Sequence, residues 1–470
     1  MRPLELLITV VLLPYIVHLL SPSRGESLIF NFLPFIAAVL IICHLAIEGY
    51  RWQMAPAYGL AIALVIYECA RPPFFLQNSY YLGITALLFE VTAILLSTAL
   101  PIFILPTTSG PYKVASEIRH LVNEGRRDPF SDDSNRFREL MIQIWYPVDP
   151  SEKGASAPYL DKRITTFWNA RLALVKSHSL ISNKKLSNSQ IRYPLLIYEH
   201  SWSGIRTEST IQVEELASHG YIVVGIDHPY SSFATVFPDG RIARRKFIGD
   251  EDYSSEEAFK HFVRTANEQV EIRSDDVRFV LNYFDQLNAN DPQGLLTGRI
   301  DFDRVGIFGS SFGGTVAAET CWLDKRLKAG IDMGGMVAGQ SATHGTRVPF
   351  FFIFEGTYEA GPYASQANHL RLGPAKRREL NFTSEQFAQM KQSLSEYGGY
   401  WMIIHGAYHS NFFDFPFYSP LRHNRLDPER ASRLISQYVL AFFDKQIRGI
   451  DQPLLARSST ETPDVSLQVW

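Results

Sequence analysis

The first 105 residues most constrain how this chain can fold, because they hold four long apolar runs that carry almost no charge. These runs are Leu6–Leu20, Leu28–Ile47, Met54–Ala70 and Tyr81–Leu105. Each is about 15–25 residues long, close to the length that crosses roughly 30 Å of hydrocarbon. We therefore expect about four transmembrane helices, since four such runs in succession fit the buried helices of a soluble protein poorly.

The first run is the weakest candidate for a span, because it is short and contains Pro14 and His18. It could be a signal sequence with Arg2 as its basic start, but no A-x-A cleavage site follows, so we prefer an uncleaved span. Glu90 lies inside the fourth run without a visible charged partner. We interpret it as packing or a helix end, and the spans hold little else that would make a transporter's polar path.

Basic residues near the ends of the spans predict their orientation. With four spans, the N-terminus and the C-terminal region share one side, and a three-span count would break this argument. That side carries Arg2, Arg51, Lys113, Arg119, Arg126 and Arg127, and the other side carries Arg24 and Arg71. We expect an integral, multi-pass membrane protein whose C-terminal region is cytosolic. A glycan on the sequon Asn381-Phe382-Thr383 would overturn this orientation.

Composition excludes some classes of partner. The formal net charge is −3, so nothing indicates a polyanion-binding surface, and no nucleic-acid partner is expected.

Of the three cysteines, Cys321 alone lies outside the apolar runs, so no disulfide forms within the remainder. This favours a reducing compartment. A catalytic Cys321 thiol is the alternative to the small buried core residue that we prefer.

From Pro106 onwards charges appear regularly and the apolar runs shorten. We expect a polar, partly helical linker over residues 106–138, a catalytic domain over residues 139–452, and a polar, disordered tail over residues 453–470. The predicted strands are Leu140–Pro147, Leu195–Tyr198, Tyr221–Ile226, Val305–Phe308, Ala329–Ile331, Pro349–Phe354 and Tyr400–Ile404. The predicted helices between or after them include Thr210–Ser218, Glu268–Phe284 and Pro428–Ile447. This alternation predicts an α/β fold with a mostly parallel sheet flanked by helices.

The stretch GIFGSSFGGT follows a short predicted strand and precedes a predicted helix. That is the context of a nucleophile elbow, G-x-S-x-G, in which the nucleophile sits on a sharp turn. Register chooses between the two serines, because only Ser311 has glycines, Gly309 and Gly313, two residues away on both sides. Ser310 would need glycine at positions occupied by phenylalanine. We therefore predict that Ser311 is the nucleophile, against a structural glycine-rich turn as the alternative.

The same fold predicts the chain order Ser, then Asp or Glu, then His. Asp332 follows the next predicted strand, where an acid can reach a histidine, whereas Asp324 fits the end of a surface helix. His409 lies in the loop after a late strand and His405 at that strand's end. A general base must reach over the nucleophile, so we prefer His409 as the base and Asp332 as the acid.

Acyl transfer also needs two N–H donors for the oxyanion. One should come from the residue after the nucleophile, Phe312, and the other from the loop after an earlier strand, where the backbone N–H of Trp202 is our candidate. We interpret His200 as a core histidine that pins this loop. Asp227 and His228 follow the next strand and are expected to shape the wall of the site.

These motifs together resemble the platelet-activating factor acetylhydrolase family, the plasma and type II branch of the α/β hydrolases. In chain order, EHSWSGIRTESTIQVEELASHGYIVVGIDHPY resembles the family's oxyanion loop, helix and strand, GSSFGGT its elbow, and HSNFFDFPF the segment that begins with its catalytic histidine. The resemblance covers roughly Leu140–Gly449, and the motifs keep their order. The resemblance implies nucleophile, acid and base roles for Ser311, Asp332 and His409. Trp202 and Phe312 would then be the oxyanion donors.

Two departures from the family pattern bear on the substrate. The family's H-G-x-G loop is H-S-W-S-G here, with Ser201 and Ser203 in place of glycines, and Ser310 stands where the family's elbow has histidine. The secreted members of the family also lack the four spans.

The resulting hypothesis is a membrane-anchored serine esterase that works through an acyl-enzyme on Ser311, without cofactor or metal. The resemblance implies calcium-independent hydrolysis of phospholipids with short or oxidised sn-2 chains. A general carboxylesterase is the alternative, and a membrane receptor or scaffold with an inactive hydrolase domain is the rival of another class. Six aromatic residues could line an acyl pocket or touch the membrane, with packing in the core as the alternative for each: Phe167, Trp168, Phe412, Phe413, Phe415 and Phe417.

Overall fold

The computed structural model of the 470-residue chain describes residues 1–21, 28–70, 79–167, 169–181, 184–246, 251–356, 373–418, 425–456 and 463–470. The chain divides into two compact units. The helical unit comprises Met1–Ile104, Pro158–Lys176 and a short stretch that begins at Phe417. The sheet unit comprises Leu105–Ala157, Ser177–Pro416 and the chain from Asn424 onwards.

The helical unit contains four long helices in its described residues: α1 Pro3–Leu20, α2 Leu28–Ile47, α3 Ala55–Ala70 and α4 Ser79–Ala99. A short 3₁₀ turn, Trp52–Met54, leads into α3, and all four helices are long and apolar enough to cross a membrane. The predicted fourth run extended to Leu105, but α4 ends at Ala99. The chain stops being helical there because Pro101 lacks an N–H and disfavours helical geometry in the residue before it.

Polar side chains inside the helical unit are mostly paired. Arg51 donates to the Glu5 carboxylate at 2.7 Å and to the Ser97 carbonyl at 2.8 Å. His44 lies 2.6 Å from the Tyr58 hydroxyl. Glu90, in contrast, is 1 % exposed and has no hydrogen-bond partner among the described residues. Buried charges are expensive unless paired, so these contacts hold the bundle in one arrangement.

The sheet unit is built on an eleven-stranded sheet, counted over the described residues, in the order β13-β12-β11-β10-β9-β5-β6-β2-β1-β4-β3. The strands are β1 Lys113–Arg127, β2 Phe137–Val148, β3 Ser156–Pro158, β4 Lys176–Ile181, β5 Tyr193–Glu199, β6 Ile222–Asp227, β9 Ile300–Ser310, β10 Leu327–Met333, β11 Phe350–Glu355, β12 Gly399–Ile404 and β13 Val465–Val469. A separate ribbon pairs β7 Ala234–Val236 with β8 Ile242–Arg244. All seven predicted strands are present.

The six strands from β12 to β6 in that order run parallel to their neighbours. They are continuous apolar runs because both faces of a parallel sheet are covered. The helices of this unit are α5 Thr210–Ser218, α6 Glu256–Ala289, α7 Phe312–Leu323, α8 Ser341–His344, α9 Pro374–Tyr397 and α10 Pro428–Gln446. Val277 and Phe284 of α6 pack in one of the two main apolar cores of the sheet, and Ile435 and Phe442 of α10 pack in the other. The predicted α/β-hydrolase fold is confirmed.

Two sequence-based expectations were wrong. The stretch predicted as a partly helical linker is largely β1, which pairs antiparallel with β2. Its charges misled the prediction because they are paired in the fold: Arg119 lies 3.3 Å from Asp291. The tail predicted to be disordered contains β13, which pairs antiparallel with β12 at the edge of the sheet.

Candidate active site

Ser311 lies in the tight turn between β9 and α7, with φ 55° and ψ −126°. Positive φ is costly for a residue with a side chain and persists only where the surroundings hold it. Here the Ser311 N–H donates to the Met333 carbonyl at 2.7 Å. The flanking glycines leave room for the turn: a Cβ on Gly309 would lie 2.1 Å from the Gly313 carbonyl carbon, and one on Gly313 would lie 2.1 Å from the Glu199 oxygen. The geometry is that of a strained nucleophile elbow.

The two adjacent serines have different surroundings. Ser310 is fully buried, and its hydroxyl donates to the Phe412 carbonyl at 3.1 Å. Ser311 is partly exposed and lines a cavity of about 350 Å³. Of the two serines, only Ser311, the one that the register of the glycines selects, lines the cavity.

The cavity combines apolar rings with carboxylates. Trp202, Tyr253, Phe262, Phe312 and Phe387 supply its aromatic lining. Glu251, Glu355, Glu379 and His409 supply its titratable groups. It is within the range of pockets that take small organic ligands.

None of the five described aromatic residues that the sequence suggested for an acyl pocket lines this cavity. Phe412 and Phe413 are buried in the sheet unit's core. Phe415 packs at the edge of that core, stacked on Phe413 with ring centroids 5.1 Å apart. Phe167 and Phe417 belong to the helical unit. Trp168 lies outside the described residues.

Two backbone N–H groups are available at the cavity. Over the described residues, neither Trp202 nor Phe312 donates its backbone N–H to a protein acceptor. Phe312 is the first residue of α7, where the helix leaves its N–H groups unsatisfied. The two side-chain rings are in contact, with centroids 4.1 Å apart. Both residues predicted as oxyanion donors therefore line the cavity of Ser311, and their N–H groups have no acceptor among the described residues.

Glu208 holds the loop that carries Trp202. It accepts hydrogen bonds from the Ser201 N–H and, at 2.9 Å, from the Ser201 hydroxyl. Its carboxylate fills the space beside Gly204, and the residue is 1 % exposed. Burial raises the pKa of Glu208 to about 7, although the bonds from Ser201 act against that rise.

His200 is a core residue that contacts the same loop through the Ser201 carbonyl, as expected. It is fully buried, with Nδ1 2.7 Å from the Ser201 carbonyl and Nε2 2.8 Å from the Ser232 hydroxyl. Burial, with the nearby Arg273 charge, lowers the pKa of His200 well below its ordinary value. The Arg273 guanidinium also donates to the His200 carbonyl at 2.6 Å. His200 is thus a neutral structural residue.

The expectation that Asp227 and His228 shape the wall of the site was wrong. Neither lines the cavity, and both are buried. Asp227 accepts from the Arg206 N–H at 2.7 Å. His228 bridges Glu199 at 3.0 Å and Asp276 at 2.8 Å. Both side chains are thus held by buried polar partners and do not face the cavity.

His409 begins a 3₁₀ turn, His409–Phe412, soon after β12, and its side chain is 43 % exposed to the cavity and solvent. The edges and faces of Phe412 and Phe413 contact its ring, with centroids 6.0 and 5.6 Å away. The rival candidate His405 does not line the cavity, and its Nε2 lies 2.9 Å from the Ser466 hydroxyl. The structure thus brings His409, and not His405, into the cavity of Ser311.

Asp332 ends up at the carboxyl end of β10, fully buried. Its Oδ1 accepts from the Gly335 N–H at 2.6 Å, and its Oδ2 has no partner among the described residues. Burial raises the pKa of Asp332 well above its ordinary value. The competitor Asp324 binds Arg326 at the end of α7. Asp332 remains the predicted acid on its position in the fold.

The carboxylate nearest to His409 is one that the sequence analysis missed. Glu355 Oε1 lies 3.5 Å from His409 Nδ1, and within the described chain no other carboxylate forms an ion pair with His409 at 4.0 Å or less. A signal existed, because Glu355 ends the apolar strand PFFFIFE in the same way that Asp332 follows its own strand. Glu208, by contrast, has no sequence pattern that would have revealed its contact with Ser201.

The described residues include one group with the spacing of a metal site, Glu5, His44 and Glu48 in the helical unit, whose ligand atoms lie within 4.8 Å of one another. These groups already bind each other or protein partners: Glu5 pairs with Arg51, and His44 lies between Glu48 at 2.9 Å and Tyr58. Such pairing accounts for the cluster without an ion.

Comparisons with known proteins match most of this chain to one family. Residues 104–452 match the family described as "Platelet-activating factor acetylhydrolase, isoform II". Relatives include a platelet-activating factor acetylhydrolase of Cavia porcellus, 27 % identical over 56 % of this chain and 59 % of its own. A probable 1-alkyl-2-acetylglycerophosphocholine esterase of Arthroderma benhamiae is 24 % identical over 77 % of this chain and 93 % of its own.

Among solved structures, a ferulic acid esterase from Streptomyces cinnamoneus superposes with a TM-score of 0.61 at 25 % identity. The match covers 78 % of this chain and 99 % of that one. The chain spans just under three fifths of the length of the mammalian relatives that it matches.

Proposed function

Because the chain belongs to the platelet-activating factor acetylhydrolase, isoform II, family, we propose that it is a serine hydrolase of carboxylic esters that forms an acyl-enzyme on Ser311. The observation that carries this proposal is the placement of Ser311, on its strained turn, in one cavity with His409 and with the two free backbone donors. Nucleophile, base and oxyanion donors are the parts that acyl transfer requires.

The proposed reaction runs in two steps. Ser311 Oγ attacks the ester carbonyl while His409 takes its proton, and the N–H groups of Trp202 and Phe312 bind the oxyanion. His409 then protonates the departing alcohol, and water attacks the acyl-enzyme by the same route. Each oxyanion donor contributes about 3 kcal/mol to stabilising the transition state. We assign the acid role to Asp332 from the chain order Ser, Asp, His and from its position at the end of β10, although Glu355, and not Asp332, is the carboxylate within 4.0 Å of His409. The residues present need no metal or cofactor for these steps.

We propose a lipid or lipid-like ester as the substrate, with phospholipids that carry short or oxidised sn-2 chains as the first candidate. The names of the relatives support a short-chain phospholipid ester. The four apolar helices support anchoring to a bilayer, where such a substrate resides. The side of the membrane shared by the N-terminus and the C-terminal region carries more Arg and Lys residues than the other side, and this supports a cytosolic catalytic unit.

A general carboxylesterase is the second candidate, and the charge of the cavity favours it. Glu251, Glu355 and Glu379 line the cavity. Carboxylates repel a phosphodiester at short range, so a neutral ester would enter more easily. The structural neighbour is also named as an esterase of ferulic acid and not as a phospholipid hydrolase.

The test uses the full-length chain in membranes or detergent. A fluorophosphonate probe should label the wild-type protein and leave Ser311→Ala unlabelled, which would exclude an inactive receptor or scaffold. Hydrolysis is then compared on a short-chain phosphatidylcholine and on neutral esters of equal acyl length. Full ester hydrolysis by Ser311→Ala would overturn the proposal, and faster turnover of the neutral esters would select the second candidate.

A further inference from the structure

Glu355 is a buried carboxylate that faces the imidazole of His409. Its Oε1 lies 3.5 Å from His409 Nδ1, and the residue is 5 % exposed. Its Oε2 has no hydrogen-bond partner among the described residues. Burying a carboxylate without partners is costly, and a donor or a positive charge within reach lowers that cost. The imidazole of His409 is such a group.

Strand pairing brings Glu355 to this position. β10 and β11 are parallel neighbours in which Asp332 pairs with Phe352, and the Gly334 N–H donates to the Ile353 carbonyl at 2.8 Å. The turn after Asp332 and the end of β11 therefore lie side by side. The His409 ring rests on that turn, because a Cβ on Gly334 would lie only 2.9 Å from Nδ1.

The two carboxylates at this edge influence each other. Burial raises the pKa of Asp332, and the charge of Glu355 raises it further. A negative charge on Glu355 therefore disfavours the ionised form of Asp332. When the base takes the serine's proton, an imidazolium forms at His409. Its positive charge would relieve the repulsion between the two carboxylates.

We propose that Glu355 is a positioning residue for His409, acting alongside Asp332. The proposal rests on the proposed ester hydrolysis and adds a second acid to the single one that the Ser, Asp, His order predicts. In acylation, the Ser311 Oγ–acyl carbon bond forms as the proton moves to His409 Nε2. The ester C–O bond then breaks and His409 gives that proton to the alcohol. Throughout, Glu355 stabilises the Nδ1 side of the imidazole by its negative charge and takes no proton.

The experiment compares Glu355→Ala, Glu355→Gln, Glu355→Asp and Asp332→Asn with the double variant of Asp332→Asn and Glu355→Gln, all in the full-length chain. Two readouts are taken: the second-order rate of fluorophosphonate labelling, and kcat and KM for p-nitrophenyl butyrate. Glu355→Ala should lower kcat by about 10- to 100-fold with little change in KM, the range typical of groups that orient a functional side chain. Glu355→Asp should recover part of that loss.

The double variant separates shared from single acid roles. If both carboxylates hold the imidazole, it should lose more labelling rate and more kcat than either single variant. Glu429→Gln is the matched control, because that glutamate lies on α10 with its side chain 64 % exposed. Thermal unfolding of each variant checks that the fold persists, and Glu355→Gln keeps the test valid if Glu355→Ala does not fold.

Two outcomes would overturn the role of Glu355. One is a Glu355→Gln variant that keeps kcat and labelling rate within about twofold of wild type while Asp332→Asn loses both. The other is a loss that appears equally in KM and in thermal stability, which would indicate a merely structural residue. A wild-type protein that neither hydrolyses esters nor reacts with the probe would instead overturn the proposed function, and this role with it.

Discussion

The hydroxyl of Ser310 donates a 3.1 Å hydrogen bond to the main-chain carbonyl of Phe412, and so joins the turn of Ser311 to the turn of His409. The same carbonyl accepts from the Ser209 hydroxyl at 3.3 Å and from the Gln212 amide at 3.4 Å. Ser209 and Gln212 lie at the start of α5, so three segments that are distant in sequence meet at one oxygen. The nucleophile and the base are thereby held by a shared acceptor.

Ser310→Ala should keep most of the activity, because the Phe412 carbonyl retains two donors. We expect a stability loss of about 1 kcal/mol, the usual net value of one hydrogen bond, and at most about a tenfold fall in kcat. Ser311→Ala, the matched variant one residue away, should lower kcat by about 10⁴-fold or more. Ester hydrolysis with purified variants measures both, and equal losses in the two would contradict the assignment of Ser311.

Gly313→Ala should disrupt the elbow, since its Cβ would lie 2.1 Å from the Glu199 carbonyl oxygen. We expect loss of labelling by a fluorophosphonate and a destabilisation of about 3 kcal/mol, at the upper end of values for overpacking. Gly59→Ala is the control, because nothing lies within 4 Å of a Cβ at that helical position. Thermal unfolding and probe labelling are measured on both, and unchanged labelling of Gly313→Ala would contradict the geometry.

The pKa of Glu208 predicts how stability depends on pH. Because its pKa is raised to about 7 from about 4.5, the folded state holds a proton that the unfolded chain has lost between these values. The resulting stability is fully present below pH 4.5 and is lost as pH rises through 7, by at most about 3 kcal/mol. Glu208→Gln cannot titrate and should show a smaller fall.

The measurement is the unfolding midpoint of wild type and Glu208→Gln at several values between pH 5 and pH 8, in the same detergent. The comparison removes contributions from other groups, including Asp332, which titrate in both proteins. Parallel curves for the two proteins would show that Glu208 does not carry the pH dependence.

Asn381 reports the side of the membrane on which the sheet unit lies. It is exposed on α9 within the sequon Asn381-Phe382-Thr383, so an oligosaccharyltransferase could reach it in a lumenal protein. We expect no glycan, because the basic residues favour a cytosolic orientation. Endoglycosidase treatment of protein from a eukaryotic host should leave mobility unchanged, as should Asn381→Gln. A shift seen only in the wild type would reverse the orientation.

Local patterns sufficed where the feature is itself local. The glycines around Ser311 select the nucleophile because the elbow is a turn of a few residues, and its steric demands fall on those positions. Apolar runs such as Val305–Phe308 predicted buried strands for the same reason. Length and hydropathy likewise predicted the four long helices near the N-terminus.

Features that depend on partners distant in the chain were missed or misassigned. The charged residues of β1 led to the prediction of a linker. In the structure, β1 pairs with β2, and its Arg119 forms an ion pair with Asp291. From the sequence, Asp227 and His228 were expected in the wall of the site. In the structure, His228 is instead buried and contacts Glu199 and Asp276. No local pattern says which charged residue has a partner, because that depends on where the other segments pack.

The sequence by itself determined the fold class, the apolar helices and the position of the elbow, since these follow from periodicity and from steric limits within a few residues. Only the tertiary structure decided that Ser310 binds Phe412 and that Glu355 faces His409. The physical reason is range: a hydrogen bond or a charge acts over a few ångströms, and the groups it joins here are separated by 102 and by 54 residues along the chain. Such contacts exist only once the sheet has brought its strand ends together.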